Sequence, residues 1–195
     1  MTTTTLAPLP AATRLGRVDT IPNLVTLVRT ALAVAIGAYG VAAGEPSALL
    51  VAYAAYWVGD LADGWLARRL DQETRLGAVL DIVCDRACTV LLCAGLVAHT
   101  PAVAPVAVVF LLSFAVLDTM LSLAFLCWPI DTPNHFWRVD RRVYELNWSP
   151  LGKAVNTAGV IGAVAVGAHA VALLVALAVL AVKVWSAARV LRLLS

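Results

Sequence analysis

The feature that most constrains this chain is a run of bilayer-length apolar stretches in which two adjacent ones carry carboxylates. Crossing a hydrocarbon layer takes roughly 20 residues of helix. Stretches of about that length fall at 21–43, 46–69, 73–98, 102–128, 150–167 and 169–192. A soluble domain is about a quarter charged, whereas this chain is 13% charged and 62% hydrophobic. The expectation is an all-α, polytopic membrane bundle of six transmembrane helices. Residues 1–20 form a cytoplasmic or interfacial segment and residues 21–195 a single domain. Pro22, Pro46, Pro101, Pro129 and Pro150 sit near the ends of these stretches, where proline is tolerated or stops a helix. The net charge of +2 makes no case for nucleic acid.

Orientation follows from lysine and arginine in the short loops. Arg14 and Arg17 precede the first stretch. Arg68, Arg69 and Arg75 lie between the second and third. Arg138, Arg141 and Arg142 lie between the fourth and fifth, and Arg189 and Arg192 end the sixth. The loops near 44–47, 99–101 and 167–169 have none. Six spans with both termini cytoplasmic satisfy every loop. Residues 6–19 suit either a short interfacial helix or a basic tail. Trp128, Trp137, Trp148 and Tyr144 suit a belt at headgroup level. Cys84, Cys88, Cys93 and Cys127 read as small reduced hydrophobes, since no histidine stands at metal-ligand spacing beside them.

Asp60 and Asp63 are i, i+3 on the second stretch, and Asp81 and Asp85 are i, i+4 on the third. Each pair shares a helix face. Folded as an antiparallel hairpin about Gln72, the two stretches bring Asp60 level with Asp85 and Asp63 level with Asp81. At about 1.5 Å per residue the four lie roughly 10–18 Å from the inner end. A charge at that depth costs roughly 2.5–3.5 kcal/mol on insertion scales. Four together must either take protons, as in a proton-coupled transporter, or bind cations. Carboxylate oxygens suit hard ions such as Mg²⁺ or Mn²⁺, and two divalent ions balance four carboxylates. Gly64, Ala67, Gly77 and Ala78 leave space on the inward half of the same hairpin. Arg68 and Arg75 at its rim suit a phosphate, a use that a proton relay does not have.

The pattern Asp60-x-x-Asp63-Gly64-x-x-Ala67-Arg68, eight residues, Gly77-x-x-x-Asp81-x-x-x-Asp85 resembles the signature of the CDP-alcohol phosphatidyltransferase family at every fixed position. Pro22-Asn23-x-x-Thr26-x-x-Arg29 is similar to the opening of many members. The resemblance implies transfer of a phosphatidyl group from CDP-diacylglycerol to a polar alcohol, with release of CMP. It implies that Asp60, Asp63 and Asp81 hold two metal ions. Asp85 would touch a metal and act as general base. Gly64, Ala67, Arg68, Thr74 and Gly77 would contact the CDP moiety, with Asn23 and Thr26 closing the pocket. It further implies a homodimer among membrane lipids, in the cytoplasmic membrane, with the site open to the cytoplasm.

The stretch TRLGAVLDIVCDR resembles the phosphatidylinositol and phosphatidylinositol-phosphate synthase branch. Glycerophosphate and cardiolipin enzymes often have proline after the third aspartate, where this chain has Ile82. Inositol or inositol phosphate is therefore the expected acceptor, with glycerol 3-phosphate and phosphatidylglycerol as alternatives. A phosphorylated acceptor would want a basic cluster, for which Arg138, Arg141, Arg142, Lys153 and Lys183 are the candidates. Asp118, inside the fourth stretch, could bind acceptor hydroxyls or pair with Lys153 or Lys183.

Overall fold

The computed structural model describes residues 16–194, and every regular element among them is helical. The expected segment 6–19 lies outside the described residues except for 16–19, which are not helical. Two compact units divide the chain between Ala104 and Pro105.

The first unit holds three long helices, α1 (Ile21–Ala43), α2 (Pro46–Arg69) and α3 (Arg75–His99). Their starts are written in the sequence. Thr20 caps α1 with its side chain on the Asn23 amide, and Pro22 sits in the first turn. Pro46 opens α2. The Thr74 hydroxyl accepts from the Gly77 amide at 2.9 Å and caps α3. Gly44 ends α1 in the left-handed conformation at φ 68°, a backbone position that favours glycine.

Helix α1 is the wedge of this unit. It packs extensively on both α2 and α3, whereas α2 and α3 touch each other much less. The buried stripe of α1 runs Pro22, Asn23, Thr26, Arg29, Ala33, Gly37, Gly40, at helical spacing. Its C-terminal half is small. A Cβ on Gly37 would stand 3.0 Å from Leu91 and 3.7 Å from Ala52, and one on Gly40 would stand 3.1 Å from Ala48. Small residues on facing helices allow close backbone approach, which is how helices associate where lipid offers no hydrophobic drive. The N-terminal half of the stripe is polar, and its Thr26 and Arg29 face the carboxylates.

The α2–α3 connection is tied to the start of α1. The Ile21 amide donates to Gln72 Oε1 at 3.1 Å, and Asn23 Nδ2 donates to the Val18 carbonyl at 2.9 Å. Gly77 admits this contact, because a Cβ there would stand 2.8 Å from Asn23 Oδ1.

The stretch Pro101–Cys127, which belongs to the second unit from Pro105 on, is helical from end to end but changes pitch, with i→i+5 turns over Leu112–Asp118. Such wide turns are rare in helices. A second wide stretch, Ala154–Gly159, lies between Pro150–Lys153 and Val160–Ala165. The helix His169–Leu194 is regular throughout. Between the first two lie a tight helix at Pro133–Arg138 and the helix Arg141–Asn147, which Asp140 caps.

Two of the tryptophans assigned to a headgroup belt are core residues instead. Trp128 is 1% exposed and Trp148 is 7% exposed. Both pack on buried Phe136, at ring-centre distances of 5.5 and 4.9 Å. Three edge-on or tilted rings stabilise the turn better than a water interface would. Trp137 is half exposed.

Among the described residues, three helices are long and apolar enough to cross a membrane, namely Ile21–Ala43, Pro101–Cys127 and His169–Leu194. Helices α2 and α3 have the length, with 24 and 25 residues, but carry the charges of the site. The four cysteines are free; Cys84 and Cys88 are buried and the other two half-buried.

Candidate active site: four aspartates around one arginine

The site is built from the N-terminal halves of α1 and α3 and the C-terminal half of α2. Asp60 and Asp63 come from α2, and Asp81 and Asp85 from α3. The carboxylates converge, as the midpoint of the hairpin requires. One oxygen each from Asp60, Asp63 and Asp81 lies within 4.8 Å of the others. An all-oxygen, carboxylate-only set at that spacing fits a hard divalent cation. Asp85 joins the group through Arg29.

Arg29 was not among the residues singled out for a role, yet it is the centre of the site. Its side chain is 3% exposed. Nε lies 2.8 Å from Asp63 Oδ2, and Nη2 lies 2.6 Å from Asp81 Oδ1, 3.0 Å from Asp85 Oδ1 and 3.3 Å from Asp60 Oδ1. One guanidinium therefore touches all four carboxylates. Its stem lies against the backbone of α2 at Gly59, where a Cβ would come within 2.4 Å of Arg29 Cβ and 2.6 Å of Cδ. Tyr56 stacks under the guanidinium at 5.3 Å. The sequence carried two signals for this residue: its place in the Pro22-Asn23-x-x-Thr26-x-x-Arg29 opening, and a cation at helical spacing from Asn23 and Thr26, followed on the same face by small residues. The hairpin construction missed it because that construction had no third helix.

The carboxylates are not equivalent. The Asp63 side chain is 7% exposed, against 35% for Asp60, 42% for Asp81 and 20% for Asp85. Asp63 Oδ2 accepts both from Thr26 Oγ1 at 2.7 Å and from Arg29 Nε. Both bonds fall on one oxygen, which orients the carboxylate and leaves Oδ1 for a cation. Donors of this kind behind a metal-binding carboxylate set its direction.

The residues expected to contact CDP divide. Gly64 and Arg68 come together, because a Cβ on Gly64 would stand 3.4 Å from Arg68 Nη1. The exposed Arg68 therefore lies over bare backbone, about one turn C-terminal to Asp63 on α2. Ala67 is half-buried beside it. Thr74, Gly77 and Asn23 form the capped corner described above, and Thr26 holds Asp63. Each of these last four has a structural task in the fold.

A family model described as CDP-alcohol phosphatidyltransferase matches residues 19–193. The chain belongs to this family. The CDP-diacylglycerol–inositol 3-phosphatidyltransferase of Candida albicans is 42% identical over 69 residues, which is 35% of this chain and 29% of that protein. Putative cardiolipin synthases of Mycobacterium bovis and Mycobacterium tuberculosis are each 42% identical over 72 residues, 36% of this chain and 34% of theirs. The matched stretches thus span about a third of these relatives. No solved structure matches the chain.

In this family member, the residues expected to form an acceptor site do not gather. Asp118 and Lys183 do meet, as a buried ion pair, with Lys183 3% exposed. Lys183 is one of the two partners expected for Asp118. Arg141 pairs with Glu145 at 2.8 Å on an exposed helix face, and Arg142 lies 5.8 Å over Trp185. Lys153 is exposed and donates to Asn134 at 2.9 Å, and Arg138 is exposed. Lys153 therefore lies at the surface. Its helix starts at Pro150 in a turn whose buried residue is Gly152, which sets Lys153 outward. Two further polar contacts in this unit had no sequence signal. Arg189 binds Asp140 at 2.5 Å, and Asn147 Nδ2 donates to Ser186 at 2.9 Å.

Proposed function

We propose that this chain is an integral membrane phospholipid synthase that transfers a phosphatidyl group from CDP-diacylglycerol to a hydroxyl of a polar alcohol and releases CMP. The observation that carries the reading is the convergence of Asp60, Asp63, Asp81 and Asp85 at the family's spacing, beside Gly64 and Arg68. In the full reading, six helices span the cytoplasmic membrane, both termini are cytoplasmic, the site opens to the cytoplasm, and residues 21–195 are the catalytic domain of a homodimer.

Asp60, Asp63 and Asp81 would hold two divalent ions, Mg²⁺ or Mn²⁺, with Asp85 as a shared ligand. Bound there, such ions neutralise the diphosphate and stabilise charge on the leaving CMP. The protein's own work is positioning and proton removal. Thr26 and Arg29 orient Asp63. Arg68, over the bare backbone of Gly64, meets a phosphate or the cytidine. Asp85 takes the proton of the acceptor hydroxyl as its oxygen bonds to the diacylglycerol-bearing phosphorus. The phosphorus–oxygen bond to CMP breaks, and CMP leaves with the electron pair.

Inositol is the acceptor we favour. A phosphorylated alcohol calls for converging cations, whereas Lys183 is paired with Asp118, Arg141, Arg142 and Lys153 are exposed and separately engaged, and Arg138 is exposed. Phosphatidylglycerol is the second reading, because the relatives include putative cardiolipin synthases. The test is CMP release by the purified chain with CDP-diacylglycerol and Mg²⁺ or Mn²⁺. The acceptors are myo-inositol, inositol 1-phosphate, glycerol 3-phosphate and phosphatidylglycerol in separate reactions. Release with one acceptor, abolished by chelation, is the expected result. Release that survives chelation refutes the cation site, and proton flux without CMP release supports the transporter alternative instead.

A further inference from the structure

Arg29 does more than orient one ligand. Its Nη2 carries two hydrogens, yet three carboxylate oxygens from Asp60, Asp81 and Asp85 stand within 2.6–3.3 Å of it. A single nitrogen ringed by three carboxylate oxygens occupies the kind of position that a ligated cation takes. Divalent ions bind such oxygens at about 2.0–2.1 Å for Mg²⁺. An ion held by these same oxygens would stand almost where Nη2 stands. The two positive centres would then share one set of acceptors at close range in a poorly solvated place.

The guanidinium is also imperfectly held. Nη1 is buried with no hydrogen-bond partner among the described residues. A buried donor left unmade is costly, so moving this group sacrifices less than moving a fully bonded one. Its stem has a track to lie in, because Gly59 presents only backbone to it. Thr26 keeps Asp63 in place independently, through its own 2.7 Å bond.

We propose that Arg29 is a built-in counter-cation of the aspartate site, and that it competes with divalent metal for the oxygens of Asp60, Asp81 and Asp85. The inference rests on reading those aspartates as a cation site. The arginine keeps the four carboxylates together without metal and holds the site's affinity down. Metal loading requires Nη2 to withdraw from the carboxylates. The ion is therefore exchangeable rather than structural.

The test is Mn²⁺ binding to the purified full chain in detergent, read from the loss of the free-ion electron paramagnetic resonance signal. It needs neither substrate nor turnover. Arg29→Met removes the charge and keeps an apolar stem, and Arg29→Lys keeps a charge that cannot reach all four carboxylates. The expected result is Mn²⁺ binding at least about tenfold tighter in R29M than in the natural chain, with R29K in between. Binding equal to or weaker than the natural chain's in R29M overturns the competition while leaving the cation site and the proposed function standing. Should R29M fail to fold, R29K alone decides: tighter binding supports the proposal and unchanged or weaker binding overturns it. No Mn²⁺ binding in any of the three overturns both this inference and the cation-site reading.

Discussion

Replacing Thr26 by valine isolates a single bond in the site. The change swaps a hydroxyl for a methyl of nearly the same size at a position 3% exposed, so packing on α2 is retained. What goes is the 2.7 Å donor to Asp63 Oδ2. Asp63 is nearly buried, so water cannot easily take the vacated place, and only Arg29 Nε at 2.8 Å continues to serve that oxygen. A hydrogen bond to a charged group is worth about 1.5–3 kcal/mol. For a chain of this size 1 kcal/mol moves the melting temperature by about 2–4 °C. A loss near 2 kcal/mol therefore lowers it by about 4–8 °C. The same change frees the Asp63 carboxylate to turn, which weakens Mn²⁺ binding by about 10–100-fold. This is the opposite sign to Arg29→Met, because Thr26 supplies orientation and no charge. The assay is thermal unfolding in detergent under chelation, followed by Mn²⁺ titration, with Thr26→Ser as the variant that keeps the hydroxyl. The Thr26 hydroxyl also lies 3.1 Å from the Pro22 carbonyl. A T26V protein that melts within about 1 °C of the natural chain would show that its proton goes there, and would refute the assignment to Asp63. Equal losses in T26S and T26V would refute it as well.

Three further outcomes follow from the geometry. Gly59→Ala sets a Cβ within 2.4 Å of Arg29 Cβ and costs about 1–3 kcal/mol by thermal melting, a loss that persists in part in the Arg29→Ala background, which removes the contacts with Cγ and Cδ but keeps the one with Cβ. Lys183→Met takes the buried cation away from Asp118 and costs about 3–5 kcal/mol, whereas Lys183→Met combined with Asp118→Leu recovers most of it; a double variant no more stable than the single would refute the pairing. Asp85→Asn leaves the fold and the melting temperature near those of the natural chain and abolishes CMP release, and normal turnover in that variant would remove Asp85 from the role of base.

The sequence by itself determined the elements and the convergence of the acids. The expected stretches 21–43 and 46–69 coincide with α1 and α2, and the others agree with the helices within a few residues. That legibility has a physical reason. Proline, glycine and capping threonines act within one turn of themselves, and apolar runs of this length admit little besides helix. The pairing of Asp60 and Asp63 with Asp81 and Asp85 was readable because a short loop forces two helices into one register.

Only the tertiary structure decided what stands among the acids. Arg29 is 31 residues before Asp60 in a helix that the hairpin does not include, and no local rule places it there. It is central because α1 wedges between α2 and α3, which depends on Ala33, Gly37 and Gly40 meeting Ala52 and its neighbours across a close contact. The same holds for Lys183, which could have snorkelled to a surface but is buried against Asp118, and for Trp128 and Trp148, which close on Phe136. A charge or an aromatic ring in an apolar run announces that it needs a partner. Which partner it finds is set by helix packing over distances in sequence that periodicity does not reach.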